Sequence, residues 1–210
     1  MVPCILCHSL QTKLLLYRQE VAYYLCNSCG SVYKDPAGFL DREAEKERYL
    51  LHENDVNDHD YQYFVNPIVE EVVKHFPEKS TGLDFGAGTG PVIAKLLSEK
   101  GYTISLYDPF FHPNTSVLHK TYDFIVCCEV IEHFHNPEKE FELLHKMLEP
   151  EGKLFCMTEL LPKEKSFATW YYKDDPTHVL FYSEENLKWI QEHFGFKKVE
   201  IEGRLVVFSK

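Results

Sequence analysis

The sequence predicts an α/β fold: a doubly wound, mainly parallel sheet with one antiparallel strand at the end, preceded by a small four-cysteine module. Three observations predict it. From residue 81 onward, short apolar runs alternate with segments of helical spacing, as strand–helix–strand units require. The first such junction is Leu83-Asp84-Phe85-Gly86-Ala87-Gly88-Thr89-Gly90, a glycine-rich strand-to-helix turn where the backbone can approach a ligand closely. Residues 1–34 carry Cys4-x-x-Cys7 and Cys26-x-x-Cys29, two pairs 18 residues apart.

Each C-x-x-C places two sulfurs on one tight turn, and two such turns complete a tetrahedron. The spacing is that of a four-thiolate zinc site, with Cys4, Cys7, Cys26 and Cys29 as ligands. Between the pairs, Leu14–Tyr17 and Val21–Leu25 read as two strands joined by polar Arg18-Gln19-Glu20, the hairpin of a zinc ribbon. So short a segment buries too little core to fold alone, and metal binding would stabilise it. Disulfides are the competing reading, but nothing points to export. Four thiolates leave no open coordination position, so the zinc is expected to be structural.

Residues 35–60 read as a connector. Asp35-Pro36-Ala37-Gly38 is turn chemistry, Asp41–Leu51 is a charged helix, and His52 to Asp60 is too polar for a core element. Asn66-Pro67 reads as N-cap and first helical position, opening an amphipathic helix with Ile68, Val69, Val72, Val73 and Phe76.

The main domain then spans residues 61–210. Thr81–Phe85 is a buried strand, and Pro91–Lys100 is a helix with Ile93, Leu96 and Leu97 on one face. A second strand, Tyr102–Tyr107, ends at Asp108, 22 residues after Gly86. An α/β nucleotide fold places a carboxylate there, on the ribose hydroxyls of an adenosine. Tyr122–Cys128 is apolar apart from Asp123, as a central parallel strand should be. Asn136-Pro137-Glu138 caps and opens a helix to Leu148, and Lys153–Thr158 is the next strand. Ser183-Glu184-Glu185 starts a helix to Phe194, ended by Gly195. Phe196–Ile201 and Leu205–Phe208 close the domain as a hairpin through Glu202-Gly203-Arg204.

The adenosine cofactor can be narrowed. A dinucleotide fingerprint reads G-x-G-x-x-G; here the third glycine, Gly90, comes one place early and position 91 is Pro. Asp84, two residues before the first glycine, would repel a pyrophosphate but suits a cofactor that carries an ammonium group. With these residues the chain resembles the class I S-adenosylmethionine-dependent methyltransferases, whose first motif, D/E-x-G-x-G-x-G, is matched by Asp84, Gly86, Gly88 and Gly90. The resemblance continues through Asp108, the Tyr122–Val126 strand with Glu129-Val130-Ile131-Glu132-His133, and Leu148-Glu149-Pro150-Glu151-Gly152-Lys153-Leu154, and covers roughly residues 60–210.

The resemblance implies a Rossmann-like seven-stranded sheet and S-adenosylmethionine held by Asp84, Gly86, Ala87, Gly88, Gly90, Asp108 and Glu129. It also implies that the segment upstream of the glycine motif covers the methionine end, with Tyr49, His52 and Tyr61 as candidates. One departure stands out: only 13 residues, Pro109–Thr121, separate Asp108 from Tyr122, so the usual helix and third strand are abbreviated. The family's adenine contact normally comes from that strand. Pro109 and Phe110 are the candidates to pack on the ring instead.

The cofactor's sulfonium carbon is already electrophilic, so in-line positioning supplies much of the rate. Removal of the acceptor's proton remains. Asp174-Asp175-Pro176-Thr177-His178 offers His178 as general base with Asp175 beside it. The competing reading has His178 merely packed against Tyr172, Phe181 and Tyr182. Trp170-Tyr171-Tyr172 reads either as an acceptor pocket or as core. Glu129, Glu132 and His133 resemble the Glu-x-x-Glu-His run of ubiquinone-pathway O-methyltransferases, where it is associated with a divalent metal. The same run occurs in relatives without a metal, where it shapes the cofactor site.

Composition limits the partners. The net charge of −11 disfavours general nucleic-acid binding. Residues 35–80 hold twelve acidic side chains against five basic ones, whereas residues 1–34 hold three basic and one acidic. No apolar stretch approaches a membrane span, the N-terminus lacks signal-peptide character, and seven cysteines suit a reducing cytoplasm. The expected activity is methyl transfer to a small molecule, to oxygen before nitrogen. One alternative is an RNA methyltransferase that docks through the ribbon, against which stand the charge and the lack of an Asn/Asp-Pro-Pro-Tyr motif. The other is a non-catalytic cofactor-binding protein with the ribbon as a protein-docking module.

Overall fold

The computed structural model describes residues 2–51, 55–162 and 166–210. The N-terminal hairpin pairs β1 (Thr12–Arg18) with β2 (Val21–Cys26). Gln19 and Glu20, between them, have φ of 50° and 63°. Two consecutive positive φ values give the backbone twist that a two-residue hairpin needs. Strand β3 (Val32–Lys34) adds to β2, and the charged helix α1 (Arg42–Leu50) follows, its first turn capped by the Asp41 carboxylate.

Helix α2 (His59–His75) begins earlier than the Asn66-Pro67 signal suggested. Asp58 caps it, Pro67 lies inside it, and the Asn66 amide turns to Glu70 at 2.6 Å. The apolar stripe explains the extension. Tyr61 and Phe64 pack on the same core cluster as Val65, Ile68, Val69 and Val72, so the buried face runs straight across the proline. Loss of one backbone hydrogen bond at Pro67 is outweighed by that burial.

The main sheet is built from β4 (Thr81–Phe85), α3 (Val92–Glu99), β5 (Thr103–Tyr107), β6 (Tyr122–Cys128), α4 (Pro137–Met147) and β7 (Leu148–Met157). Beyond these come β8 (Leu180–Phe181), α5 (Glu184–His193), β9 (Lys198–Glu202) and β10 (Leu205–Ser209). The strand order is β5-β4-β6-β7-β10-β9. Strands β5, β4, β6 and β7 pair in parallel, and β10 runs antiparallel to both neighbours.

Six strands form this sheet among the described residues, not the seven that the resemblance implied. The segment between β5 and β6 accounts for the difference. It makes an isolated bridge from Asp108 to His112 and a 3-10 turn at Thr115–His119, and a parallel crossover with a further strand needs more chain than that. The sheet therefore ends at β5.

The cysteine module joins the rest through a second sheet, ordered β1-β2-β3-β8. Val32 pairs with Phe181 and Tyr33 with Leu180, and the Lys34 amide donates to the Val179 carbonyl at 2.9 Å. Cys4, Leu6, Cys26, Cys29 and Tyr33 belong to the same buried cluster as Leu180, Tyr182 and Leu187. Residues 1–34 thus share a core with the segment that follows the His178 loop. No helix among the described residues is long and apolar enough to cross a membrane.

Candidate active site

The glycine turn leaves β4 with φ of +82° at Gly86 and +60° at Gly88. The Gly86 and Ala87 amides donate to the Tyr107 carbonyl at 2.8 and 3.1 Å, fixing the turn to the end of β5. A Cβ on Gly86 would lie 2.4 Å from Cγ2 of Val130, so no larger residue fits. Asp108 is almost fully buried beside this turn. Its carboxylate accepts from the amides of Gly88 (3.1 Å), Phe110 (2.8 Å) and Phe111 (3.0 Å). A carboxylate has about four lone-pair sites, so capacity remains for a ligand hydroxyl. Burial pushes the Asp84 carboxyl up to about 7, against a backbone hydrogen bond from Ala94, and the Asp108 charge adds to the rise.

These groups open into one cavity of about 950 Å³. Asp84, Gly86, Ala87, Gly88, Gly90, Asp108, Pro109 and Phe110 line one end of it, and Tyr49, Tyr61, Glu129, Tyr172, Asp175 and His178 complete the walls. His52 lies outside the described residues. Helix α1 is tied to both ends of the cavity. Arg42 donates to the Pro109 carbonyl at 2.8 Å and sits 4.7 Å from the centre of the Phe110 ring. Arg48 donates to Asp175 at 2.6 Å.

At the far end, Glu129 takes a positive φ of 53°, and Arg204 from the terminal hairpin contacts both its carboxylate oxygens at 2.7 Å. The same guanidinium reaches Glu159 at 2.8 Å. Tyr172 donates to Glu132 and lies 3.2 Å from Glu129 and 3.1 Å from the Thr158 hydroxyl. Burial pushes both carboxyls up to about 7; at Glu129 the Glu132 charge adds to the rise and Arg204 opposes it.

The metal run expected at Glu129, Glu132 and His133 is arranged differently. Arg204 draws Glu129 aside, and the groups that converge within 4.8 Å are Glu132, His133 and His178. His178 Nδ1 donates to the Tyr172 carbonyl at 2.6 Å, and its ring centre is 4.8 Å from that of His133. Burial, then the charge of His133, lowers the His178 imidazole to about 3, so it is neutral at physiological pH. Asp175 accepts from both the amide and the hydroxyl of Thr177. Burial would raise it, but the Thr177 hydrogen bonds, then His178 and Arg48, hold it down at about 2. Arg48 and Arg204 are site residues that sequence reasoning missed. Arg48 lies in the charged helix and Arg204 in the terminal hairpin turn; only the fold brings Arg48 to the cavity wall and Arg204 to Glu129, which lines it.

In the N-terminal module, Cys4 and Cys29 sulfurs are 3.6 Å apart, Cys7 and Cys26 sulfurs 3.5 Å, and all four lie within 4.8 Å of one another. A disulfide needs about 2 Å. Ligands at about 2.3 Å from a tetrahedral zinc would sit close to these separations. The donor set fits a four-thiolate zinc.

A strand–glycine turn–helix, an acid at the tip of the next strand, and a cavity joining them to a polar far wall form the cofactor pocket of an α/β nucleotide fold. The chain belongs to the family described as "Methyltransferase domain", whose model matches residues 58–201. Its fold is that of the class I S-adenosylmethionine-dependent methyltransferases. No curated protein matches the sequence significantly. Among solved structures, human N-acetylserotonin methyltransferase in complex with S-adenosylmethionine aligns with a TM-score of 0.52 and 13% identity, over 80% of this chain and 57% of that one. An O-methyltransferase family protein from Burkholderia thailandensis aligns with a TM-score of 0.50 and 11% identity, over 70% and 56%. The chain therefore spans little more than half the length of these structures, and at such identities what is shared is the fold.

Proposed function

We propose that the protein is an S-adenosylmethionine-dependent methyltransferase acting on a small molecule, at oxygen before nitrogen. The observation that carries this reading is the single cavity joining the Asp84–glycine turn–Asp108 end to the Asp175–His178–Tyr172 end. The cofactor, when bound, supplies an electrophilic methyl group on a sulfonium. The residues of the chain do the rest. Asp108 accepts from a ribose hydroxyl, and Asp84, at about 7, offers a negative charge to the cofactor's cationic end. Phe110, one side covered by Arg42, packs on the adenine in place of the missing third strand.

Helix α1 closes the cavity through Arg42 and Arg48 and excludes water from the acceptor. Because Nδ1 of His178 donates to the Tyr172 carbonyl, Nε2 is the nitrogen with the lone pair, placed to receive the acceptor's proton. Asp175 orders this loop through Thr177 and Arg48. The four cysteines hold structural zinc and anchor β3, which in turn pairs with the strand following His178.

The test is methyl transfer from labelled cofactor to fractionated small molecules, with bulk tRNA and rRNA as a parallel arm. Label in a low-molecular-weight product supports the reading. Label in RNA, or cofactor binding without turnover on any fraction, overturns it.

A further inference from the structure

Three hydrogen bonds run from the cysteine module to the loop that carries Asp175 and His178, and all of them end on backbone carbonyls. The Tyr23 hydroxyl of β2 donates to the Lys173 carbonyl at 3.3 Å. From β3, the Lys34 ammonium donates to the Pro176 carbonyl at 2.7 Å and the Lys34 amide to the Val179 carbonyl at 2.9 Å. The loop is thus held on both sides of His178, while Asp175 and His178 line the cavity.

Lys34 is the unexpected member of this set. It is only 4% exposed, and burial lowers its ammonium below the usual lysine range, opposed by the charge of Asp175. A buried charge is costly, and an apolar side chain of similar length often serves stability as well. What a methionine at this position would lack is a donor for the Pro176 carbonyl. The bond to Val179 comes from the backbone and survives any ordinary substitution, so the ammonium acts on the Pro176 side of the loop. His178 depends on that side. Its amide bonds back to the Asp175 carbonyl at 3.2 Å and its Nδ1 to the Tyr172 carbonyl at 2.6 Å. Both bonds close the loop on itself, so the ring keeps its tautomer only while residues 172–178 keep their shape.

We propose that Lys34 is a positioning residue for His178: its ammonium, reaching across from the cysteine module, fixes the loop shape in which Nε2 is free to take the acceptor's proton. Tyr23 supports the same loop from residue 173. The role in proton removal rests on the methyltransferase reading. The positioning of the ring does not, because its tautomer is read without cofactor or acceptor.

The experiment is long-range proton–nitrogen correlation on the full-length protein labelled at histidine, at about pH 8, where an ordinary imidazole is neutral. Signals of His178 are assigned from His178→Gln. The wild type should show one tautomer, protonated at Nδ1. In Lys34→Met the ring should shift to a mixture containing the Nε2-protonated form, the one that a neutral imidazole prefers in water. Lys34→Arg keeps a donor for the carbonyl and should retain more of the wild-type tautomer. An unchanged circular dichroism spectrum reports that a variant is folded. In the metabolite fraction where the wild type labels a product, Lys34→Met should transfer the methyl group roughly 10–100-fold more slowly. Tyr23→Phe removes a single hydroxyl and should shift the tautomer in the same direction, by less; it serves as the test if Lys34→Met does not fold. A single Nδ1-protonated tautomer in folded Lys34→Met, or in Tyr23→Phe where only that variant folds, overturns the proposal. Methyl transfer at the wild-type rate by a Lys34→Met protein with an altered tautomer overturns the catalytic consequence.

Discussion

The Arg48 guanidinium donates to the Asp175 carboxylate at 2.6 Å, joining the helix upstream of the glycine turn to the loop that carries His178. Both side chains are largely shielded, at 31% and 17% exposure, so solvent screens the pair less than an exposed one. A double-mutant cycle with Arg48→Met and Asp175→Asn should show a coupling of roughly 1–2 kcal/mol in denaturant unfolding. Each single variant should also raise the KM for cofactor, because α1 loses its far anchor. Strictly additive effects would mean that the helix is held in place by other contacts.

Gly86 carries the most demanding backbone of the turn. Gly86→Ala forces a Cβ into a positive-φ residue and onto Val130, and should cost roughly 2–4 kcal/mol of stability. Adding Val130→Ala removes the clash but not the conformational penalty, so about half the loss should return. A Gly86→Ala protein that melts like the wild type would mean that the turn is looser than described.

The fold and the geometry of the candidate site are legible where signals are local. The glycine turn, the acid at the tip of β5, the Asn136-Pro137 cap and the apolar run of β6 each announce themselves within a few residues. The Asn66-Pro67 signal places the start of α2 too late: Pro67 is a strong local stop, yet burial of Tyr61 and Phe64 on the far side of it carries the helix through. Strand β8 is two residues long and exists only because β3 offers it an edge. The engagement of Glu129 with Arg204 depends on two segments 75 residues apart, which no spacing rule connects.

Asp84 makes the stability of the unliganded protein depend on pH. Its carboxyl rises from an ordinary 3.8 to about 7 on folding, so the folded state binds the extra proton between these values. Stability is therefore greatest below the lower value and falls as pH rises through the upper one, by up to about 1.4 kcal/mol per unit from this group. Asp84→Asn should flatten the slope between about pH 5 and pH 7, read from denaturant midpoints. A cationic ligand favours the ionised form, so cofactor binding near neutrality should release protons, measurable by calorimetry in buffers of different ionisation enthalpy. A slope unchanged in Asp84→Asn would assign the effect to other carboxyls.

The cysteine cluster and the acceptor end should report on each other. If zinc sits on the cysteines as proposed, stripping it should free β3, whose partner β8 lies two residues beyond His178. Chelation should lower the melting temperature and reduce hydrogen-exchange protection at Val32–Lys34 and Leu180–Phe181 together. Loss of protection at the cysteine turns alone would show that the cysteine module and the main domain are energetically separate.

The proposed function depends first on Asp108 and the glycine turn holding S-adenosylmethionine. Titration calorimetry with the cofactor and its demethylated product, on the wild type and on Asp108→Ala, tests it most directly. The wild type should bind one molecule per chain, and the variant, folded by circular dichroism, should bind roughly 10–100-fold more weakly, the loss expected for one or two charge-assisted hydrogen bonds. No binding by the wild type, or equal affinity in the variant, would mean that Asp108 and the glycine turn do not hold the cofactor.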